Sequence, residues 1–312
     1  MSNMITVTGY INPDIDCVAC SIGYAEFLRK GLKEAQAVYS GDIGKESEFV
    51  KKYLGYLSIL HVSGGLEEDQ IVLVDTSDVE SIDLSIKKEN IIEVIDHRKL
   101  SYIHDFPKAK MQIDLVGSCA TLITERFHDN GIIPSKESVI LLFSAIVSNT
   151  VNFMSNVTTQ RDKDMANWLK KYADIPQNYI SDMFEYKSEI NRKNIEEVLT
   201  EEFKQYTILG KKIGIVQLEI TEAIRRVSEL ENDLREKLCK IKSDKELDYL
   251  LLSCVDIKEG FNYFLTIDSK SSDFFEKALG ITAVYDGVKS EGIYMRKEIY
   301  PKLVKYLEDR KY

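Results

Sequence analysis

The chain predicts an α/β fold: a doubly wound parallel sheet domain followed by a smaller α/β domain. Three observations carry this reading. The runs "IVLVD" and "IIEVID" are continuously apolar, as strands covered on both faces are. Helical patterns fall between such runs, the order that builds a parallel sheet. Past a polar helical stretch near 175–200, a second set of apolar strands begins.

The elements follow in order. "ITVTG" is a strand, and 15–32 is an amphipathic helix. "AQAVYSG" is a second strand and "SEFVKKYLGYL" a helix. "QIVLVDTSD" and "NIIEVIDHR" each hold a buried strand. "SCATLITERFHDNG" makes a helix that ends at Gly131, and "SKESVILLFSAIVSNT" another, capped by Ser135. Downstream, "GKKIGIVQLEI", "LDYLLLSCVDI" and "GFNYFLTID" read as strands, with one helix, "AIRRVSELENDLREKLCKI", between the first two. The boundary is expected near 190, giving domains 1–190 and 191–312.

At 312 residues the chain can bury two separate cores. Its net charge of −10, with Lys and Arg dispersed, argues against a nucleic-acid or membrane partner held by a basic face. Without a signal segment or an apolar run of spanning length, a cytoplasmic protein is expected. The five cysteines suit reduced thiols. Cys17 and Cys20 form a C-x-x-C, but helical spacing turns both into a packed face.

The acidic residues concentrate at strand ends. Asp14 and Asp16 follow the first strand, Asp75 ends "IVLVD", and Asp96 with His97 ends "IIEVID". Open α/β sheets bind ligands at such carboxyl ends. One aspartate there is ordinarily a turn former or a cap. Three such ends together favour a cation, because grouped carboxylates repel one another. Oxygen ligands with one imidazole suit Mn²⁺ or Mg²⁺ better than zinc.

These stretches resemble the DHH phosphoesterase superfamily, and within it the manganese-dependent inorganic pyrophosphatases and prune-type exopolyphosphatases. The matching segments are "GYINPDIDCVACSIGYA", "LVDTSD", "VIDHRKL", "VGSCATLITERF", "SAIVSNTVNF" and "EGIYMRKEIYPKL", in the family's order. The resemblance implies a dimetal site in the first domain, cationic phosphate ligands in the second, and substrate in the cleft between. By position, Asp14 resembles a ligand of the first metal, Asp16 and His97 ligands of the second, and Asp75 the bridge. Arg296 and Lys297 resemble the substrate clamp, with Lys204 a third cation. The implied cofactor is Mn²⁺, with Mg²⁺ or Co²⁺ as substitutes, and the implied partner is a small phosphate-containing substrate. A homodimer is compatible with the resemblance.

Three departures stand out. Tyr10 occupies the place of a metal-binding histidine, and a protonated phenol is a poor ligand. Arg98 replaces the second histidine of "DHH", a permanent cation with fork geometry for phosphate. Asn149 stands where the family has an aspartate ligand; its amide oxygen can coordinate but brings no charge. Asp78 is either a substitute ligand or an N-cap for a helix over "VESIDLSI". Ser118 and Cys119 read as small residues opening a helix, and His61, His104 and His128 as surface or core histidines.

The chemistry implied is hydrolysis of a phosphoanhydride, pyrophosphate or short polyphosphate, by metal-activated water. Two alternatives remain: hydrolysis of another small phosphorylated metabolite, or a catalytically impaired member that binds an anion or a protein.

Overall fold

Four fully buried residues, Ile5–Thr8, form β1, the strand around which the first unit is built. The computed structural model describes residues 4–63, 65, 66, 70–97, 106, 108–191 and 194–310. The chain divides into one unit of Met1–Phe153 with Val157–Tyr186 and another of Met154–Asn156 with Lys187–Tyr312.

In the first unit, β1 is followed by α1 (Ile15–Lys30), β2 (Ala35–Tyr39), α2 (Lys45–Leu54), β3 (Leu60–His61), β4 (Ile71–Val74), β5 (Ile91–Asp96) and β6 (Lys110–Ile113). Then come α3 (Cys119–Asp129), α4 (Lys136–Asn149), α5 (Gln160–Leu169) and α6 (Tyr179–Lys187). The six strands lie in the order β3-β2-β1-β4-β5-β6, and every pair is parallel. Val7 of β1 pairs with Ala37 on one side and Val72 on the other. Strand order reverses between β1 and β4, the switch point at which such sheets leave a crevice. Helices α1 and α4 are apolar nearly all round, and α1 packs on α3 and α4 as well as on the strands. Cys17 and Cys20 are buried in that packing. Helix α2 stops at Gly55, whose φ of 85° is left-handed and open to glycine at little cost.

The second unit holds α7 (Ile195–Glu201), β7 (Phe203–Ile208), β8 (Lys211–Ile220), α8 (Ala223–Glu229), α9 (Glu231–Asp244), β9 (Tyr249–Asp256), β10 (Phe261–Leu265), α10 (Ser269–Leu279), β11 (Val288–Lys289) and α11 (Arg296–Glu308). Its sheet, β11-β10-β9-β8-β7, is mixed: β8 and β9 run parallel and the other pairs antiparallel. Alternate residues serve two cores. Leu250 and Leu252 of β9 join one, with Val227, Leu234 and Leu238, while Leu251 between them joins another with Phe275, Ile299 and Leu303.

Two expected elements differ. The helix after β8 is broken, because the Leu230 N–H is shared between the carbonyls of Arg226 and Val227, each at 3.2 Å, and this tightens the end of α8. No helix forms over 79–86. Asp78 instead accepts from the Glu80 N–H at 2.9 Å in a local turn, and the segment continues as turns.

Candidate metal centre

The switch point brings three side chains together. Asp16 lies in the first turn of α1, the element after β1; Asp75 directly follows β4; His97 follows β5. One donor atom from each lies within 4.8 Å of the others, and all three residues are buried. Asp75 has a φ of 57°, a left-handed turn that aspartate tolerates better than most residues, and its N–H is held by the Ile95 carbonyl at 2.9 Å.

The imidazole orientation decides what this cluster wants. Nδ1 of His97 lies 3.0 Å from the carbonyl oxygen of Val116. A carbonyl only accepts, so Nδ1 carries the proton. Nε2 faces the carboxylates, 3.3 Å from Asp75 Oδ1 and 3.9 Å from Asp16 Oδ2. Two carboxylates and an imidazole nitrogen that converge in a buried place can share a cation. Two carboxylates with one imidazole form an O,O,N set that fits Mn²⁺ or Mg²⁺. Asp96 fixes the turn that aims His97: its Oδ1 accepts from the His97 N–H at 2.7 Å and its Oδ2 from Ser77 Oγ at 2.6 Å.

Asp16 is itself oriented from α3. Ser118 is the N-cap of that helix. Its Oγ donates to Asp16 Oδ1 at 2.9 Å, while the Ala120 N–H donates to Oδ1 and the Cys119 N–H to Oδ2, each at 2.8 Å. A carboxylate in the first turn of a helix is favoured by the aligned peptide dipoles. Asn149, the last residue of α4, adds a bond from its amide nitrogen to Asp16 Oδ2. The Cys119 thiol sits behind this group; burial, with the charges of Asp75, Asp16 and Asp96 adding to it, pushes it up to about 12. That thiol stays protonated and is no nucleophile near neutral pH.

The remaining predicted residues fall as follows. Asp14 is the N-cap of α1, its Oδ1 accepting from the N–H groups of Asp16 at 2.9 Å and Cys17 at 3.1 Å. It stands outside the three-residue set, and its own N–H meets Tyr10 OH at 3.3 Å. In the second unit, Lys204 is exposed on β7, and Arg296 and Lys297 open α11. Arg296 is anchored there: its N–H donates to Gln217 Oε1 at 2.7 Å and its Nη1 to the Glu202 carbonyl at 2.8 Å. Two cations at a helix N-terminus oppose the dipole, an arrangement that an anion relieves. Arg98 and His104 lie outside the described residues; His61 and His128 are exposed.

Sequence reasoning missed the part played by Val116, whose contribution is a carbonyl that any residue supplies. It also missed Asp162 on α5, which binds the loop before α3 and whose signal was the spacing Thr159-x-x-Asp162 of a capping box.

Comparison with known proteins agrees with this architecture. Residues 4–146 match the family model described as DHH family, N-terminal domain, and residues 181–306 match the DHHA2 domain. The chain belongs to the DHH family, in the branch that joins these two domains. More particularly, it is 30% identical to a protein of Clostridium acetobutylicum named a probable manganese-dependent inorganic pyrophosphatase, over 99% of this chain and 100% of that one. It is also 30% identical to the manganese-dependent inorganic pyrophosphatase of Methanocaldococcus jannaschii, over 94% and 95% of the two chains. The crystal structure of a Methanococcus jannaschii family II inorganic pyrophosphatase superposes with a TM-score of 0.76 at 28% identity, covering 98% of this chain and all of that one. Among the described residues no helix is long and apolar enough to cross a membrane.

Proposed function

We propose that this protein is a cytoplasmic phosphohydrolase that cleaves inorganic pyrophosphate with the help of a divalent cation, Mn²⁺ first among candidates. The observation that carries this reading is the convergence of Asp16, Asp75 and Nε2 of His97 at the switch point. The relatives named as manganese-dependent inorganic pyrophosphatases support the substrate.

Asp16, Asp75 and His97 would hold the cation, with the carboxylate of Asp14 and the amide oxygen of Asn149 as further oxygen donors. When bound, it supplies positive charge that acidifies water and stabilises phosphate oxygens. The chain's own work is orientation. Val116 keeps the His97 proton on Nδ1, and the first turn of α3 holds the Asp16 carboxylate at a fixed angle. Arg98, Lys204, Arg296 and Lys297 are assigned to phosphate charge, with a metal-binding domain over 1–190 and a phosphate-binding domain over 191–312.

Tyr10 and the amide of Asn149 favour a second reading, a member that binds metal and anion but turns over slowly or not at all. A phosphate-release assay decides between them. Pyrophosphate, tripolyphosphate, nucleotides and sugar phosphates should each be offered with Mn²⁺, Co²⁺ and Mg²⁺. Release from pyrophosphate above all others with Mn²⁺ supports the proposal. Release from a different substrate, or none by a protein that binds Mn²⁺, replaces it.

A further inference from the structure

We infer that Asp162 is a positioning residue of the metal centre, setting the angles of two ligands through the loop that precedes α3. The inference rests on the reading of Asp16, Asp75 and His97 as a cation site.

Asp162 is wholly buried in the first turn of α5. Its Oδ1 accepts from Thr121 Oγ1 at 2.6 Å and from the Gly117 N–H at 3.1 Å. Its Oδ2 accepts from the same N–H at 2.9 Å and from the N–H and Oγ1 of Thr159, both at 2.7 Å. Hydroxyls can turn round, but the two main-chain N–H groups are fixed donors: both meet Oδ2, and that of Gly117 also reaches Oδ1, so an NH₂ at either place faces an N–H. A carboxylate meets that need, and the N-terminal turns of α3 and α5 favour its charge. Gly117 completes the fit. A Cβ there would lie 2.6 Å from Thr150 Cγ2 and 2.9 Å from Asp162 Oδ2, so a side chain would push the loop off its anchor.

What the loop carries makes this matter for chemistry. One residue before Gly117, the Val116 carbonyl accepts a hydrogen bond from His97 Nδ1. Immediately after it, Ser118, Cys119 and Ala120 deliver three donors to Asp16. A shift of the Gly117 peptide therefore moves the supports of His97 and Asp16 together. Carboxylates that orient ligands from outside the coordination sphere influence metal affinity by about 10–100-fold.

The test is calorimetric titration with Mn²⁺, together with the paramagnetic resonance spectrum of the bound ion, at a temperature where circular dichroism shows each variant folded. Asp162→Asn places an NH₂ against a fixed N–H. Thr121→Val removes a single bond to Asp162 and leaves its charge. Tyr179→Phe is the control, deleting a buried bond to Ser144 elsewhere in the same unit. We expect Asp162→Asn to weaken Mn²⁺ binding about 10–100-fold with an altered spectrum, Thr121→Val to weaken it less, and Tyr179→Phe to leave both unchanged. Wild-type affinity and spectrum in folded Asp162→Asn overturn the inference alone. Should Asp162→Asn not fold, equal affinities in Thr121→Val and Tyr179→Phe overturn it. A wild-type chain that binds no Mn²⁺ overturns the cation site and this inference with it.

Discussion

His97 turns Nε2 towards Asp75 Oδ1, at 3.3 Å, because its other nitrogen is committed to the Val116 carbonyl at 3.0 Å. A nitrogen and a carboxylate oxygen placed that closely can serve one cation together. Asp75→Asn keeps the shape and tolerates the left-handed backbone, yet removes the charge. It should lower Mn²⁺ affinity by more than the roughly 10–100-fold typical of outer partners, with the melting temperature in chelator nearly unchanged. Calorimetry showing an unaltered isotherm would remove Asp75 from the site.

Asn149→Asp should change sign with metal. Without metal, the new carboxylate faces Asp16 where an amide had donated. A lost buried bond plus repulsion costs about 1–3 kcal/mol, so the melting temperature in chelator should fall by several degrees. With Mn²⁺ present, the added charge should tighten binding and reverse that loss. A variant that is less stable under both conditions argues against Asn149 as a neighbour of the cation.

Glu26 gives a pH prediction away from the site. Burial pushes its carboxyl up, but the Ser135 and Ser138 hydroxyls, the Ser135 N–H and Lys30 outweigh burial and hold it below the usual range. A depressed carboxyl stabilises the fold above its unfolded pKa and loses that contribution as pH falls through the folded one. Glu26→Gln should therefore cost about 1–3 kcal/mol at neutral pH, and the gap to wild type in denaturant titrations should close below about pH 4. A gap independent of pH would mean that packing, and not charge, is what Glu26 supplies.

The thiols predict behaviour at the opposite end of the scale. Cys17, Cys20, Cys119 and Cys254 are buried, and burial is the first cause raising each of them; Cys239 is exposed. At pH 8 a chromogenic disulfide reagent should take one thiol per chain quickly and four more only after unfolding. Because the folded values lie above the ordinary 9.0, the unfolded chain releases protons first and stability should fall from that pH upward. Rapid reaction of more than one thiol in the folded protein would contradict the burial of these four thiols.

Much of this was legible in the chain because the central strands leave little choice. "IVLV" and "IIEVID" are too apolar for any place but the middle of a sheet, and the aspartates that end them mark the crevice. The periphery was harder to read. β3 is two exposed residues and β6 is "KMQI" at the sheet edge, with no apolar run to announce either. α5 buries only Asp162, Met165, Ala166 and Leu169 behind a charged surface. The single helix read after β8 failed at Leu230 because periodicity continues through a break that only hydrogen bonding reveals. Within the site, the residue types were readable but the atoms were not: nothing in the letter N at position 149 says that its nitrogen, and not its oxygen, meets Asp16.

The supports around Asp16 and His97 are largely peptide groups: the carbonyl of Val116 and the N–H groups of Cys119 and Ala120, on a loop that the Gly117 N–H ties to Asp162. Every residue but proline offers the same donor and acceptor. Such a framework is set by the path of the chain rather than by its spelling, so few of its letters are dictated by it; seven letters in ten differ between this protein and its relative in Clostridium acetobutylicum. Bulk would bend that path at a few places, and Gly117 is one of them.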